Sequence, residues 1–332
     1  MSDADVLPWQ RDQWRRIMDR LHAGRMPHAL LLTGPQGLGK GAFARLLSQS
    51  ILCETPGADG IACGRCRRCD LYLAGTHADV RFITLAEDSN QITIDQIREL
   101  IAFMGLTSQQ GGYKIVVIDP ADHMNNAAAN ALLKSLEEPP PASLLILIAS
   151  RPVRLPATIR SRCQQLPFQL PPEEQAMDWL RGQDGFTSDE SLSLKLAQGA
   201  PLAALANGAQ GGDRQALFSD LAAIIEGRRD PVGIAAAWLK LDIKLSLYWV
   251  YTLLVDMIRL KAVSTPPMFM NSDFKADLAR MAQKMDIKAL YQRLDQLLET
   301  WRQLETPVNK QLLLEDLLLA WAPAPQSPRA AN

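Results

Sequence analysis

An apolar run, a glycine-rich loop and a helical pattern follow one another between residues 29 and 44, and this stretch constrains the fold more than any other. The run Ala29–Leu32 predicts a buried strand, and the apolar spacing from Gly41 onward predicts a helix. A phosphate-binding loop requires this order, because loop amides and the helix N-terminus then face one anion. The residues expected to hold a nucleotide's phosphates are Gly34, Gly37, Gly39 and Lys40.

Two positions depart from the pattern of an active nucleotide hydrolase. Gly41 stands where a serine or threonine hydroxyl would ligate magnesium. The predicted strand Lys114–Asp119 ends on an acid, Asp119, that is expected to face the loop and help hold the ion. The next residue is Pro120, which cannot accept a proton from an attacking water. The sequence therefore predicts a pocket that binds ATP or ADP without hydrolysing it.

Composition narrows the class of protein. At 332 residues and 47% hydrophobic, the chain is long enough for two or three folded domains. Its formal net charge of −1 gives no general positive field, so DNA contacts must come from a local patch or from partners. The longest apolar stretch, Leu247–Ile258, contains Asp256 and is too short to span a bilayer. We expect a cytoplasmic protein with no membrane partner.

Four of the five cysteines are crowded into residues 53–69. Their spacing, Cys-x9-Cys-x2-Cys-x2-Cys, is typical of a tetrahedral zinc site, and four thiolates favour zinc over harder ions. The predicted ligands are Cys53, Cys63, Cys66 and Cys69. Four reduced thiols in a loop are the alternative. Because few aromatic residues accompany the cluster, a structural clip is favoured over a zinc-dependent nucleic-acid-binding module.

Strands alternate with helices up to about Phe168, which predicts a parallel sheet covered by helices. We assign residues 1–168 to this domain, with the zinc-binding insertion at 53–69. Residues 169–210 predict a small helical lid, and a polar, glycine-rich linker at 208–213 precedes an all-helical domain at 211–322. The proline-rich tail, residues 323–332, is predicted to be disordered.

Several motifs together resemble the bacterial DNA polymerase III clamp-loader subunits. They are the loop Gly34–Lys40, the cysteines that follow the next helix, the string Ala131–Pro140 and the triplet Ser161–Cys163. The resemblance covers nearly the whole chain and implies an AAA+ P-loop domain, a helical lid and an all-α collar domain for oligomerisation. It also implies a ring with motor subunits (gamma/tau) and delta, which loads the beta sliding clamp onto primed DNA.

The missing catalytic parts indicate which role in such a ring fits this chain. A motor subunit would keep a hydroxyl at position 41, an acid at position 120 and an arginine in the lid helix near Pro201–Ala204, and all three are absent. The resemblance then implies a rigid, non-hydrolysing member, with an ATP-hydrolysing motor subunit as the alternative. It implies that Arg162 is an arginine finger, inserted into a neighbour's nucleotide site. Arg160 is the local rival for that role.

Overall fold

The computed structural model describes residues 5–86, 89–186, 188–208, 210–263, 266, 268–304, 306 and 308–323. The chain divides into two compact units, residues 1–178 with 200–203 and residues 179–199 with 204–332. The predicted bounds of the helical lid, residues 169–210, and of the collar, residues 211–322, remain predictions. Of the tail predicted to be disordered, all residues except Pro323 lie outside the described part of the chain.

The first unit contains a five-stranded parallel sheet in the order β2-β3-β4-β1-β5. Its strands are β1 (Ala29–Thr33), β2 (Val80–Ile83), β3 (Lys114–Ile118), β4 (Ser143–Ala149) and β5 (Gln164–Pro167). Every residue of β3 and β4 is buried, as continuous apolar runs predict for strands covered on both faces. The predicted parallel α/β domain is confirmed.

Helices cover both faces of the sheet, and two separate apolar clusters fill the space between sheet and helices. The helices between residues 11 and 181 are α1 (Arg11–His22), α2 (Lys40–Leu52), α3 (Arg67–Leu73), α4 (Ile94–Met104), α5 (Asn126–Glu137), α6 (Ala157–Arg160) and α7 (Glu173–Arg181). Phe43 of α2 anchors one cluster, packing edge-on against Trp14 and Phe168. These contacts fix α2, and with it the loop that precedes it.

The second unit is all-helical where the structure describes it. Its helices, with those leading into it, are α8 (Glu190–Leu196), α9 (Pro201–Gly208), α10 (Gly211–Ile225), α11 (Pro231–Trp238), α12 (Ile243–Ala262), α13 (Lys275–Gln283), α14 (Ile287–Gln303) and α15 (Lys310–Leu319). Part of the predicted linker, residues 211–213, forms the first turn of α10. The predicted helical C-terminal region is confirmed. Among the described residues, no helix combines the length and apolarity needed to cross a bilayer.

Parallel strands give the sheet two chemically distinct edges. The glycine-rich loop follows β1, Asp119 follows β3 and Ser150 follows β4, so all three lie at the edge formed by the strands' carboxyl ends. We call this the carboxyl edge. Asp79 precedes β2 and Arg162 lies two residues before β5, which places both at the opposite amino edge. Parallel α/β folds bind ligands at the carboxyl edge.

Candidate functional site

The glycines of the loop adopt backbone angles that other residues rarely adopt. Gly34, Gly37 and Gly39 have φ angles of +139°, +80° and +80°. A Cβ atom on Gly34 would lie 2.2 Å from the carbonyl oxygen of Phe168, and one on Gly37 would lie 2.6 Å from Cβ of Ala203. Glycine is therefore required here by conformation and by space.

Lys40 is the first residue of α2 and is only 5% exposed. Its Nζ donates hydrogen bonds to the carbonyl oxygens of Gly34 (2.7 Å) and Pro35 (2.6 Å), and to Oγ of Ser150 (3.3 Å). Burial lowers the pKa of Lys40, while the carboxylate of Asp119 opposes that shift. The ammonium group thus stabilises the loop through hydrogen bonds to its carbonyl oxygens, and it lies at the carboxyl edge.

Asp119 faces the position where the magnesium-binding hydroxyl is missing. A Cβ atom on Gly41 would lie 2.9 Å from Oδ2 of Asp119. Burial raises the pKa of Asp119, and the positive charges of Lys40 and Arg45 oppose the shift. The structure therefore brings together all the predicted loop residues and the acid. Of the two protein oxygens that usually hold magnesium beside such a loop, the chain supplies one.

Residues outside the loop donate hydrogen bonds to its main-chain carbonyl oxygens. The side chains of Trp9 and Gln10 both donate to the carbonyl oxygen of Leu38, at 3.0 and 2.7 Å. The amide of Leu202, in the first turn of α9, donates to the carbonyl oxygen of Gly37 at 3.1 Å. The resemblance implies an arginine in this helix for a motor subunit, and this chain has Leu202 and Ala203 there. These contacts lock the loop's shape without adding charge.

Two residues at this edge are missing from the sequence-based prediction. Ser150 accepts a hydrogen bond from Lys40, and Asp122, which is 7% exposed, accepts one from the amide of Arg151 at 2.8 Å. Ser150 directly follows buried β4, just as Asp119 follows β3. That shared position was the available signal, because carboxyl ends of parallel strands meet at one edge. Asp122 gave no comparable signal.

Arg162 lies at the amino edge, in an exposed turn between α6 and β5. Its Nη1 donates to the carbonyl oxygen of Thr158 at 3.0 Å, and its Nη2 contacts Oε1 of Glu137 at 2.7 Å. The Arg162 side chain is 37% exposed and that of Glu137 is 51% exposed. Leu30 pairs with Gln164, so Arg162 and Gly34 are separated by about six residues of strand length, or roughly 20 Å.

Arg160 and Cys163, which lie close to Arg162 in sequence, are less exposed to solvent than Arg162 is. Arg160 is half-buried, and its Nε has no hydrogen-bond partner among the described residues. Cys163 is 7% exposed, and burial raises its pKa to about 12. A thiol with that pKa stays protonated near neutral pH, which agrees with a packing role for Cys163 rather than a nucleophilic one.

The four cysteines of the insertion converge in space. Their Sγ atoms all lie within 4.8 Å of one another, and those of Cys53 and Cys66 are 3.9 Å apart. Sulfurs bound to one tetrahedral zinc ion at about 2.3 Å would be about 3.8 Å apart. Main-chain amides of Cys63 and Cys69 donate to the sulfurs of Cys53 (3.3 Å) and Cys66 (3.4 Å), as expected for ligands that carry negative charge. The residues fit structural zinc.

The insertion is tied to the rest of the first unit at separate points. Trp14 Nε1 donates to the carbonyl oxygen of Asp59 at 2.9 Å, and the amide of Ala62 donates to Ser50 Oγ at 3.0 Å. Arg68, in α3, donates to the carbonyl oxygen of Gln110. These hydrogen bonds attach the insertion to α1, to α2 and to the loop before β3.

Sequence relatives now identify the family. The family model described as DNA polymerase III, delta subunit matches residues 9–172, and a second model, for the C-terminal part of the delta subunit, matches residues 210–322. The chain is 34% identical over 329 residues to the DNA polymerase III subunit delta' of Pseudomonas aeruginosa, covering 97% of this chain and 99% of that relative. The chain belongs to the family of DNA polymerase III delta' subunits. The Escherichia coli delta' subunit is likewise 34% identical, covering 94% of each chain.

Two of the delta' relatives match nearly the whole chain, whereas a relative named as a gamma subunit matches half of it. The DNA polymerase III subunit gamma of Buchnera aphidicola is 32% identical over 167 residues, covering 50% of this chain and 45% of that relative. Among solved structures, a gamma subunit-related protein from Thermotoga maritima gives a TM-score of 0.48 at 18% identity, covering 94% of this chain and 98% of that one. The delta' assignment rests on the sequence relatives alone.

Proposed function

We propose that this chain is the rigid, non-hydrolysing subunit of a DNA polymerase III clamp loader. In this role it joins gamma/tau motor subunits and delta in a cytoplasmic ring, and it reaches the beta sliding clamp and primed DNA through that ring. Membership of the delta' family supports the proposal. So does the pocket, which offers Gly41 and Pro120 where a motor subunit needs a magnesium ligand and a base.

The position of Arg162 is the observation that carries the proposal. The guanidinium is exposed at the amino edge, roughly 20 Å along the sheet from the chain's own loop, so it cannot serve that loop. An arginine in this position is available to a nucleotide held by a neighbouring subunit. There it would stabilise the charge that develops on the transferred phosphoryl group, while the neighbour supplies nucleotide, magnesium and base.

Reconstitution with motor and delta subunits tests the arginine finger. We expect Arg162→Ala to leave ring assembly intact and to slow hydrolysis at the one served site by about 10³-fold, the lower end for an arginine finger. Single-turnover ATP hydrolysis with clamp and primed DNA is the measurement, because a slow phase reports the affected site separately from the others. Arg162→Lys should recover only part of the rate, since lysine keeps the charge but loses the planar fork.

Two matched variants complete the test. Arg154→Ala removes another exposed arginine of the same region and should leave every phase unchanged. Arg160→Ala should also leave the hydrolysis phases unchanged. If Arg162→Ala hydrolyses ATP like the wild type, the finger assignment is wrong. If Arg160→Ala alone produces the slow phase, the finger is Arg160.

We also propose that the chain's own loop binds ATP or ADP without turnover. The support is the left-handed glycines and Lys40 at the start of α2. Equilibrium binding of a fluorescent adenine nucleotide to the isolated chain should saturate, and Lys40→Met, which keeps the apolar stem, should weaken it at least tenfold. Absence of saturable binding would make the loop purely structural. Steady-state hydrolysis well above background by the isolated chain would contradict the non-hydrolysing role.

The cysteine cluster is proposed to hold one structural zinc ion. Metal analysis of the purified chain should give one zinc per chain, and Cys63→Ser should lose it. Cys163→Ala removes a cysteine outside the cluster and should keep the zinc. Limited proteolysis should then cut residues 54–66 in Cys63→Ser only, because zinc binding stabilises the fold of such insertions. Equal zinc content in both variants would contradict this site.

A further inference from the structure

The last turn of α5 contacts the turn that carries Arg162. The function proposed above does not depend on this contact. Glu137 is the final residue of α5, and its Oε1 lies 2.7 Å from Nη2 of Arg162. The other terminal nitrogen, Nη1, is held at 3.0 Å by the carbonyl oxygen of Thr158, in α6. The guanidinium is thus fixed from two sides, by two different helices.

We propose that Glu137 is a positioning residue that holds the Arg162 side chain extended and oriented before it meets the neighbouring subunit's nucleotide. This inference rests on the proposed role of Arg162 as an arginine finger. A free arginine side chain samples many rotamers, and ordering it on contact with a phosphate has an entropic cost. A carboxylate that already restricts the rotamers removes part of that cost, as preorganisation does in other sites.

The contact geometry leaves the finger usable. A guanidinium has five N–H donors, and the contacts to Thr158 and Glu137 use one on each terminal nitrogen. The other three donors have no hydrogen-bond partner in the described part of the chain, so they can address phosphate oxygens.

The exposure of the pair decides between positioning and inhibition. Both side chains are substantially exposed, 37% for Arg162 and 51% for Glu137, so solvent weakens their attraction. A pair this weak cannot withhold the arginine from a nucleotide that carries several negative charges. It can still bias the rotamers of a flexible side chain. Removing the carboxylate should therefore slow hydrolysis at the served site rather than accelerate it.

A first measurement uses the isolated chain and does not depend on the ring. Guanidinium NMR with labelled arginine reports rotation about the Nε–Cζ bond, with the Arg162 signal assigned by its loss in Arg162→Lys. We expect restricted rotation in the wild type and at least threefold faster rotation in Glu137→Ala. Glu138→Ala, which changes the adjacent exposed glutamate, should match the wild type. Equally fast rotation in the wild type and Glu137→Ala would overturn the positioning role.

A second measurement uses the reconstituted clamp loader. Glu137→Ala should lower the single-turnover rate at the served site by about two- to fivefold, the range for losing an exposed ion pair, with the apparent KM for ATP unchanged. Glu137→Gln, which keeps a hydrogen-bond acceptor, should recover part of the rate, and Glu138→Ala should be neutral. In an Arg162→Ala background, Glu137→Ala should have no further effect.

The outcomes separate the two proposals. If Arg162→Ala is itself neutral in the ring, the finger assignment fails whatever Glu137 does. If Arg162→Ala slows hydrolysis while Glu137→Ala leaves it unchanged, the finger stands and the positioning role is wrong. Faster hydrolysis in Glu137→Ala would show that the pair restrains the arginine, which also overturns the proposal.

Discussion

The two edges of the sheet hold their functional charges in opposite ways. At the carboxyl edge, Lys40 is 5% exposed and its ammonium group is bound by two loop carbonyls and Ser150. At the amino edge, Arg162 is 37% exposed and contacts one carbonyl and one exposed carboxylate. Lys40 is part of the packed fold, whereas the Arg162 side chain is exposed and its partners lie at the surface. Substitution of Lys40 should therefore cost stability, and substitution of Arg162 should cost activity in a complex.

The amino edge also shows what a structural charge looks like there. Asp79 is 1% exposed, and its carboxylate accepts hydrogen bonds from Ser108 Oγ (2.9 Å) and the amides of Gln109 (3.0 Å) and Gln110 (3.1 Å). Lys114, at the start of β3, pairs with it at 3.4 Å. Arg162 has no comparable set of partners among the described residues. Asp79 and Lys114 are therefore buried charges with a structural role at the amino edge, whereas Arg162 is an exposed charge at the same edge.

The largest expected effect is at the carboxyl edge. Gly34→Ala should lower the free energy of unfolding by about 4 kcal/mol or prevent folding, since overpacking and left-handed strain add. The cause is the Cβ atom that would lie 2.2 Å from the Phe168 carbonyl oxygen. Urea unfolding with hydrogen exchange at β1 measures it. Gly24→Ala is the control, because Gly24 also has a positive φ but has no atom within 4 Å of the new Cβ. Equal losses in both variants would show that strain alone matters.

A smaller loss is expected from the buried pair at the amino edge. Asp79→Asn leaves Lys114 buried without its counter-charge and should cost about 3 kcal/mol. Hydrogen exchange of the β3 amides in the full chain measures it. Asp95→Asn removes the carboxylate of an exposed pair with Arg98 and should leave exchange unchanged. If hydrogen exchange of the β3 amides changed equally in Asp79→Asn and Asp95→Asn, the distinction between buried structural charges and exposed charges would be wrong.

Mild acid should weaken the same network. The Nδ1 atom of His77 accepts a hydrogen bond from the Asp79 amide at 3.1 Å, so protonation of Nδ1 breaks that bond. Burial lowers the pKa of His77, and the negative charge of Asp79 only partly opposes this. The folded state therefore binds its proton at a lower pH than the unfolded state does, and the contribution of His77 is complete above the unfolded pKa of about 6.5.

That contribution is lost as the pH falls through the lowered pKa of folded His77. Unfolding midpoints between pH 7.5 and 5 should decline for the wild type, by less than the loss in Asp79→Asn. A His77→Gln variant should flatten the decline. A wild-type midpoint that is constant or rises over this range would contradict the assignment of His77.

Apolar runs predicted central strands of the sheet, but neither the edge strand β5 nor the order of the strands. The runs that became β3 and β4 are continuous and apolar because both faces are buried, and that signature is local. The order β2-β3-β4-β1-β5 depends on contacts distant in the chain, so it had no local signature. Ser150 directly follows the apolar run of β4, but its place beside the loop also depends on the pairing of β4 with β1.

The same holds for the candidate sites: features set by residues close in sequence were predictable, and contacts between residues distant in sequence were not. Cysteine spacing predicted a cluster that the structure closes to within 4.8 Å, because short loops between ligands restrict where the thiols lie. The pairing of Arg162 with Glu137 joins residues 25 positions apart, one in the turn after α6 and the other at the end of α5. No periodicity or spacing indicates such a contact. It became visible only once α5 and α6 were packed on the sheet.

The smallest expected effect completes the contrast between the edges. Arg162→Ala in the isolated chain should change the free energy of unfolding by less than about 0.5 kcal/mol, because an exposed ion pair contributes little once solvent screening is counted. Urea unfolding of the full chain measures it, with Lys40→Met as the partner experiment at the carboxyl edge. Lys40→Met should be clearly destabilising, since the carbonyl oxygens of Gly34 and Pro35 would lose their buried donor. If Arg162→Ala destabilised the chain as much as Lys40→Met, Arg162 would belong to the structural charges of the amino edge, and its exposure would no longer argue for a role in a neighbouring subunit.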